Sequence, residues 1–309
     1  MNRLVSTKEM EYEVWLNWRK KGIGGSDAGA VCGLNPYTSP MQVYVDMTSE
    51  EVKNVDNEAM RQGRDLEDYV AKRFEEATGK KVRNTNFIYG NQKYPYMLAN
   101  VDRLVVGENA GLECKTANAF QADKWEDGNL PPHYQIQCHH YMAVTNAKAW
   151  YLAVVILGRD FKYYKIERDE SLIQYLVSIE GDFWNNHVVP GIMPSPDGSE
   201  ASEEALKKYF KNAASNKVVP LIGFNDKLVR RNEIEELLKK MEQEKKQIEQ
   251  EIKMYMADAD VALDDQFIVS WKNIESSRLN TKKLKEEQPD IFEAYSMLQL
   301  SRRFQIRSA

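Results

Sequence analysis

An acidic pair and a lysine stand close together near the middle of the sequence. Asp102 lies in the segment LANVDRLVV, and Glu113 and Lys115 lie in the segment GLECKTA that follows it. Two strands joined by a tight turn run antiparallel, and a turn centred near residues 107–108 places Asp102 opposite Glu113. Lys115 follows Glu113 by two residues, so strand alternation puts both on one face. The spacing predicts two carboxylates and an ammonium group at one point.

A hard divalent cation is the natural occupant of such a point. Mg²⁺ prefers carboxylate oxygens, water and substrate phosphate, and the ligands on offer here are Asp102, Glu113 and the backbone carbonyl of Cys114. Bound Mg²⁺ lowers the pKa of a coordinated water and neutralises charge on a phosphodiester, while a lysine stabilises the charge that develops during attack. The triplet therefore indicates metal-dependent hydrolysis of a nucleic-acid backbone.

A Glu-x-Lys triplet alone is usually a solvated surface pair, so its neighbours must support the interpretation. Glu67, in the segment GRDLE of a predicted helix, can supply a third acidic group. Gln137 and Tyr141 are i and i+4 neighbours on one face of a later helix, and Gln135 and Tyr141 are expected to support the site. The order of these motifs is far more specific than any single one.

The hydrophobic pattern predicts the elements that position these residues. Helical spacing indicates helices over about 9–21, 57–78, 133–144 and 171–188. Strands are indicated by β-branched and aromatic residues in NTNFIYG, YPYMLANVDRLVVG, GLECKTA, AKAWYLAVVILG and KYYKIER. We expect an α/β (α+β) fold with one central mixed sheet flanked by helices. His133, His139 and His140 are interpreted as surface groups of the third helix rather than metal ligands.

A glycine-rich turn, GIGGSDAGAVCG, follows the first predicted helix. Ser26 or Asp27 is expected to cap the helix that begins there, since short polar side chains favour that position. The exposed N–H groups at such a helix start favour an anion such as phosphate.

The chain is long enough for one large domain and an addition. A nuclease domain is predicted over residues 1–195, a linker and helix over 196–225, and a C-terminal extension over 226–309. The extension begins with a long helix whose apolar seam runs from Ile234 to Tyr255. Two interpretations of this seam stay open: an oligomer contact and packing against its own chain. A strand, a short helix and a last strand are predicted after it.

Composition excludes several classes of protein. Of 309 residues, 42% are hydrophobic and 29% are charged, as in ordinary soluble proteins, and no apolar stretch approaches the roughly 20 residues of a membrane helix. Cys32, Cys114 and Cys138 are too few and too far apart for a disulfide framework or a zinc ribbon. A reducing cytoplasm is expected. The net charge of −5 argues against a uniformly basic DNA-binding surface and permits a local basic channel.

The order of these motifs resembles the PD-(D/E)xK nuclease superfamily, in the branch that includes phage lambda exonuclease. Within it the sequence is similar to the YqaJ-type viral recombinase family, on Arg19 followed by GIGGSDA, then GRDLE, VDRL, LECKT and YQIQCHHYMAVT. The likeness spans about residues 15–168. No proline directly precedes Asp102, a departure at a position that varies within the superfamily.

The resemblance implies roles for the site residues. Asp102 and Glu113 would hold two Mg²⁺ ions, for which Mn²⁺ could substitute, with Glu67 assisting directly or through water. Lys115 would serve the nucleophile, and Gln137 would position Lys115 or the substrate phosphate. A 5′-phosphate pocket is implied at Arg19, Ser26 and Asn100.

The resemblance also implies a function. We expect a 5′-to-3′ exonuclease on double-stranded DNA ends that leaves 3′ overhangs for a single-strand annealing protein. It is expected to be a homo-oligomer, with a ring-like trimer as the form that the likeness suggests, in the cytoplasm of a bacterial host and of phage or prophage origin. Two alternatives stay open: an endonuclease of the same superfamily that cuts branched or single-stranded DNA, and a DNA-binding scaffold without catalysis.

Overall fold

A computed structural model of the chain describes residues 2–49, 57–126, 128–211, 217–298 and 301–307. The chain forms two compact units, Met1–Lys211 and Asn212–Ala309. None of the helices in the described parts is both long enough and apolar enough to cross a membrane.

The first unit combines helices with short strands. Its helices are α1 (Tyr12–Arg19), α2 (Gly25–Val31), α3 (Pro40–Thr48), α4 (Glu58–Thr78), α5 (Pro132–Thr145), α6 (Glu170–Phe183) and α7 (Glu200–Tyr209). Its strands are β1 (Asn2–Ser6), β2 (Ile23–Gly24), β3 (Val82–Asn84), β4 (Phe87–Gly90), β5 (Met97–Asn100), β6 (Arg103–Val105), β7 (Ala110–Ala117), β8 (Ala149–Ile156) and β9 (Asp160–Glu167). A 3₁₀ turn, Ala119–Trp125, precedes α5, and a π turn, Trp184–Val188, continues α6.

The strands form two sheets rather than the single sheet that the sequence predicted. One has the order β3-β6-β7-β8-β9, with β7 and β8 parallel, and the other has the order β1-β4-β5-β2, with β2 and β5 parallel. Two of the predicted strands each contribute to both sheets. NTNFIYG is broken at residues 85–86, and YPYMLANVDRLVVG is broken at residues 101–102. Asn86 has a positive φ of 53°, which turns the chain between β3 and β4.

The hairpin β6–β7 has the register that the sequence predicted. Arg103 lies opposite Leu112 and Leu104 lies opposite Gly111. One step further along this register places Asp102 opposite Glu113. The turn between the strands is therefore centred at residues 107–108, as predicted.

Strand β8 forms the centre of the first unit, because both of its faces are buried. Leu152 on one face packs in a cluster with Met142 of α5. Tyr151 on the other face packs against Phe74 of α4, with the ring centroids 5.1 Å apart and the rings tilted by 59°. The two helices thus cover opposite faces of the five-stranded sheet, and each brings candidate site residues to it.

Helix α5 is buried along most of its length, which corrects the interpretation of its histidines as surface groups. His139 and His140 are only 5% and 0% exposed. Helix α5 packs on the strands and also against α2 and α6, so even its polar positions are covered. His133, near the start of the helix, makes an edge contact with the ring of Tyr37.

Helix α2 packs closely on α5 through two glycines. A Cβ atom at Gly25 would lie 2.4 Å from the Tyr141 ring, and one at Gly29 would lie 2.7 Å from the Cβ of His133. The cap of α2 differs from the predicted one, since its N-cap is Gly24. Asp27 lies one turn inside the helix and accepts a hydrogen bond from the Gly24 N–H at 3.3 Å.

The first unit extends beyond residue 195, where the nuclease domain was predicted to end. The reason is α7, which packs on α3: Ala205 is fully buried and the ring of Tyr209 lies 6.3 Å from that of Tyr44. The predicted boundary followed the Gly, Pro and Ser residues before α7, which do form an irregular segment.

The second unit contains the long helix α8 (Asn225–Met256), the antiparallel strands β10 (Val261–Leu263) and β11 (Ile268–Ser270), and the short helices α9 (Thr281–Glu287) and α10 (Pro289–Ala294). The long helix and the strand after it were predicted. The predicted last strand is wrong for residues 301–307, which form no regular element. Among the described residues of this unit, β10 and β11 pair only with each other, in a two-stranded sheet.

Candidate active site

The predicted trio of Asp102, Glu113 and Lys115 comes together at the hairpin. Asp102 precedes β6 directly, and its Oδ2 accepts a hydrogen bond from the Cys114 N–H at 2.8 Å. Lys115 Nζ donates to Glu113 Oε1 at 2.6 Å. These contacts bring two acidic side chains and one ammonium group to the same part of the sheet.

Helix α5 adds the predicted glutamine to this group. Gln137 Nε2 lies 2.6 Å from Glu113 Oε1 and 2.9 Å from the hydroxyl oxygen of Tyr141. Gln137 thus fixes one oxygen of Glu113, and Tyr141 fixes Gln137, as the i and i+4 spacing predicted. Gln135 lies elsewhere, because its amide donates to the Leu130 carbonyl at 3.3 Å before the start of the helix.

The protonation of the site follows from its burial and its like charges. Burial and the nearby charge of Glu113 raise the pKa of Asp102 to about 8. Burial alone would lower the pKa of Lys115, but Glu113, Tyr134 and Asp102 together outweigh it and raise that pKa above its ordinary value. Lys115 therefore stays an ammonium ion, and burial beside Glu113 disfavours the charged form of Asp102.

The donor set fits a hard divalent cation. Glu113 Oε2 is buried and has no hydrogen-bond partner among the described residues, a costly state for a carboxylate oxygen. The N–H and C=O of one strand residue point to the same side, so the Cys114 carbonyl lies on the side of β7 where its N–H contacts Asp102. Carboxylate and carbonyl oxygens are the ligands that Mg²⁺ prefers.

Glu67 lies near this group but has a partner of its own. Its carboxylate forms an ion pair with the guanidinium of Arg103, and burial and the charge of Asp102 raise its pKa. Within the described residues, no three side chains of the His, Cys, Asp and Glu types are gathered closely enough to hold an ion between them. Asp102 and Glu113 are therefore the side chains available to an ion without rearrangement.

Arg103 is a site residue that the sequence interpretation missed. Its guanidinium also pairs with Asp68 and donates to the carbonyl oxygen of Asp102 at 2.7 Å. Its side chain is only 9% exposed. One buried cation thus connects α4 to the backbone of the acidic hairpin. A signal was present, because Arg103 alternates with the core residues Val101 and Val105, and a charge at a core position needs partners.

We expect Arg103→Gln to lower the Kd for Ca²⁺ by about tenfold, because it removes a cation that neutralises Glu67 and Asp102. Ca²⁺ is the probe because it binds oxygen ligands. Titration calorimetry measures the Kd directly, and the thermal midpoint should rise more with Ca²⁺ in the variant than in the unmodified protein. Asp68→Asn is the matched control, since that side chain is 89% exposed. Weaker Ca²⁺ binding by Arg103→Gln would contradict this expectation.

A polar cleft opens beside the acidic pair. It has a volume of about 300 Å³, and its lining includes Glu67, Asp102 and Asn100, together with Arg64, Asn84 and Asn86. Side-chain amides and carboxylates dominate this lining. The cleft gives a polar substrate access to Asp102.

The three residues of the implied 5′-phosphate pocket lie around the ends of two neighbouring strands, β2 and β5: Arg19 ends the helix before β2, Ser26 comes shortly after β2, and Asn100 ends β5. Arg19 Nη2 donates to Ser26 Oγ at 2.8 Å and to Asp27 Oδ1 at 3.0 Å, so these residues form one group. Gly24 pairs with Leu98 in the parallel ladder of β2 and β5. Ser26 and Asn100 each follow this pair by two residues, so both lie at the same edge of the four-stranded sheet.

Tyr141 links this group to the acidic pair. Gly25, beside Ser26, lies so close to the Tyr141 ring that a side chain there would clash. The hydroxyl group of Tyr141 contacts Gln137, which holds Glu113. The Arg19 group and the acidic hairpin are therefore two neighbouring parts of one structure.

A buried ion pair supports the same region. His140 Nδ1 lies 2.9 Å from Glu180 Oε1, and its Nε2 lies 2.8 Å from the Leu98 carbonyl oxygen. The Leu98 carbonyl oxygen can only accept a hydrogen bond, so Nε2 carries a proton, and Nδ1 shares a proton with Glu180 Oε1. Burial alone would lower the pKa of His140, but Glu180, the Leu98 carbonyl and the charge of Asp27 together outweigh it and raise that pKa. The pair ties α5 and α6 to β5, just before Asn100.

We expect His140→Ala to lower the free energy of unfolding by about 3 kcal/mol, because Glu180 would remain buried without its partner. Urea denaturation measures the change. Adding Glu180→Leu should recover part of the loss, since no buried charge then remains. His187→Ala, at a more exposed histidine, is the control and should cost under about 1 kcal/mol. Equal losses for the two histidines would show that the pair does not stabilise the fold.

Comparison with known proteins agrees with this geometry. The model of the YqaJ-like viral recombinase domain matches residues 14–148, a range that holds every candidate site residue named above except Glu180. The uncharacterized protein YqaJ of Bacillus subtilis (strain 168) is 39% identical over 308 residues, which are 98% of this chain and 97% of that protein.

Two solved structures show the fold. The crystal structure of LHK-Exo in complex with dAMP has a TM-score of 0.50 and 19% identity, and covers 65% of this chain and 100% of its own. The structure of LHK-Exo, an alkaline exonuclease from Laribacter hongkongensis, has a TM-score of 0.50 and 20% identity with the same coverage. Over about two thirds of its length the chain thus shares the mixed α+β fold of these structures, the PD-(D/E)xK fold. By its likeness to YqaJ over nearly its whole length, the chain belongs to the YqaJ-like viral recombinase family.

Proposed function

We propose that this protein is a Mg²⁺-dependent DNA exonuclease that degrades one strand of duplex DNA from its 5′ end. The observation that carries the proposal is the acidic pair of the hairpin. Asp102 accepts a hydrogen bond from the Cys114 N–H beside Glu113, and Glu113 presents a buried oxygen without a partner among the described residues, next to the ammonium group of Lys115. The description of the family as a viral recombinase domain and that of LHK-Exo as an alkaline exonuclease agree with it.

Asp102, Glu113 and the Cys114 carbonyl would hold the ion, with Glu67 as an additional ligand once Arg103 releases it. When bound, Mg²⁺ supplies an acidified water and neutralises charge on the scissile phosphodiester. The proposal includes two bound ions. It also includes replacement of Mg²⁺ by Mn²⁺, since both metals prefer oxygen ligands.

Lys115 acts as a fixed positive charge beside the reacting phosphate. Its raised pKa keeps it protonated, so it donates hydrogen bonds and does not remove a proton from water. Gln137 occupies Glu113 Oε1, which leaves Oε2 of that carboxylate for an ion. A preorganised charge of this kind stabilises the negative charge that develops in the transition state.

Arg19, Ser26 and Asn100 would bind the phosphate at the 5′ end of the degraded strand. Arg19 is already oriented by Asp27 and Ser26, and guanidinium groups bind phosphate through paired hydrogen bonds. A pocket beside the acidic pair would place the first phosphodiester of a 5′-phosphorylated end at the site. This arrangement favours attack at ends over attack within a strand.

Degradation from 5′ ends leaves 3′ overhangs, which are substrates for annealing. We therefore include two partners in the proposal: a single-strand annealing protein and further copies of this chain, in a ring-like trimer. Sedimentation equilibrium of the purified protein measures the mass, and a mass of one chain would remove the oligomer from the proposal.

The decisive assay uses linear duplex DNA labelled separately at each 5′ and each 3′ end. With Mg²⁺, the 5′ label should be released as mononucleotide while the 3′ label stays in long strands, and a chelator should stop the reaction. Cutting of covalently closed circles would favour an endonuclease instead. Intact linear duplex after incubation with Mg²⁺ and with Mn²⁺ would contradict nuclease function altogether.

A further inference from the structure

Helix α8 has an apolar seam that the proposed nuclease function does not use. The helix has 32 residues, about 48 Å at 1.5 Å per residue. Seam positions recur at alternating steps of four and three residues: Ile234, Leu238, Met241, Lys245, Ile248, Ile252 and Tyr255. This seven-residue repeat is typical of helices that pair in coiled coils. Lys245 is the one polar residue in this stretch of the seam.

The seam is exposed. The exposed fraction is 66% for Met241, 51% for Ile248 and 36% for Ile252. Among the described residues from 217 onward, Met256 is the one hydrophobic residue that is buried. An exposed apolar stripe of this length, interrupted only by Lys245, marks an interaction surface.

The positions that flank the seam carry one sign of charge. Between residues 234 and 255, the flanking positions are those directly after seam residues 234, 241 and 248 and those directly before seam residues 238, 245 and 252. Every charged residue at these positions is a glutamate: Glu235, Glu242, Glu244, Glu249 and Glu251. The lysines of this stretch lie on the far side of the helix, except Lys245, and three of them repeat every seven residues: Lys239, Lys246 and Lys253. The flanks are therefore acidic although the helix as a whole is not.

The acidic flanks oppose pairing of the seam with a second copy of itself. In a parallel pair each flanking residue faces the opposite flank five residues further on, so Glu244 of one helix would face Glu249 of the other. In an antiparallel pair like flanks face each other, and glutamates again meet. Lys245 would also face its own copy in a parallel pair. Like charges at facing flank positions therefore disfavour a second copy of α8 as the partner.

We propose that the α8 seam is a docking surface for a helix of another protein, with an apolar seam of its own and lysine or arginine on its flanks. Apolar seam residues would supply the affinity of this contact, and the five glutamates would select the partner by charge. Because the surface lies outside the nuclease site, the inference is independent of the proposed function.

Titration calorimetry with the full-length protein tests the proposal. Two synthetic 28-residue peptides serve as probes, with identical leucine and isoleucine seams and either lysine or glutamate on both flanks. We expect the basic peptide to bind saturably and at least tenfold more tightly than the acidic one, with a smaller difference at high salt. Changing the five flanking glutamates to lysine should reverse this preference.

The matched control reverses charge on the far side of α8, as Lys239→Glu with Lys246→Glu and Lys253→Glu. It should leave the peptide preference unchanged, while circular dichroism verifies that both variants keep their helix content. Equal binding of the two peptides, binding of neither, or an unchanged preference in the flank variant would overturn the proposal. So would an oligomer that dissociates on Leu238→Asp with Ile252→Asp, because a second copy would then occupy the seam.

Discussion

Glu113→Gln is expected to lower the rate of DNA hydrolysis by about 10³-fold, the size of effect that follows loss of one preorganised charge in an active site. Glutamine keeps the size of the side chain and can still contact Lys115 and Gln137. It loses the negative charge that would bind a cation at Oε2, the oxygen without a partner among the described residues. Single-turnover hydrolysis of end-labelled duplex measures the effect.

Glu108→Gln is the matched control for this variant. Glu108 lies in the turn of the same hairpin and pairs with Lys80 away from the acidic pair, so its loss should leave the rate within about threefold. Lys115→Met should cost about 10²-fold by removing the fixed ammonium group. Glu113→Gln also should not bind Ca²⁺ with the affinity of the unmodified protein. A Glu113→Gln variant with an unchanged rate would place the catalytic centre elsewhere.

The acidic hairpin could be predicted because its geometry is local. A short turn fixes the register of two strands, and alternation fixes the faces, so the positions of Asp102, Glu113 and Lys115 follow from their spacing. The contact between Gln137 and Tyr141 was likewise predicted from the period of one helix. Such contacts need no knowledge of how distant elements meet.

The contacts that were missed join elements that are distant in sequence. Arg103 reaches Glu67 and Asp68, which lie 36 and 35 residues earlier on α4. His140 reaches Glu180, 40 residues later on α6. No local period encodes such pairs. The histidines of α5 were misinterpreted for a related reason: a helix covered on several sides has no polar face that a pattern can identify.

The predicted N-cap in the glycine-rich turn was wrong for a different reason. Ser26 and Asp27 have good capping chemistry, yet the N-cap residue is Gly24, and both side chains contact Arg19 although Asp27 also accepts from the Gly24 N–H. The close contact between Gly25 and Tyr141 explains why a residue without a side chain is needed there. The turn is thus shaped by α5, which follows it by more than a hundred residues.

Arg19→Ala is expected to reduce the preference for 5′-phosphorylated over 5′-hydroxyl ends by about 10- to 100-fold, because a hydrogen bond to a charged group contributes about 1.5–3 kcal/mol. The preference is measured as the ratio of kcat/KM for two duplexes that differ only in that phosphate. The rate on 5′-hydroxyl ends should change little, since Arg19 has no phosphate to bind there.

Arg159→Ala is the control, because Arg159 pairs with Glu126 on the surface of the same unit and should leave the ratio unchanged. Asp27→Asn separates two models of the pocket. Asp27 now neutralises Arg19, so its loss should strengthen phosphate preference if that carboxylate competes with the phosphate. A weaker preference would mean that Asp27 mainly orients the guanidinium. If Arg19→Ala keeps the full kcat/KM ratio of phosphorylated to hydroxyl ends, then Arg19 stabilises the α1–α2 region and does not bind the DNA end.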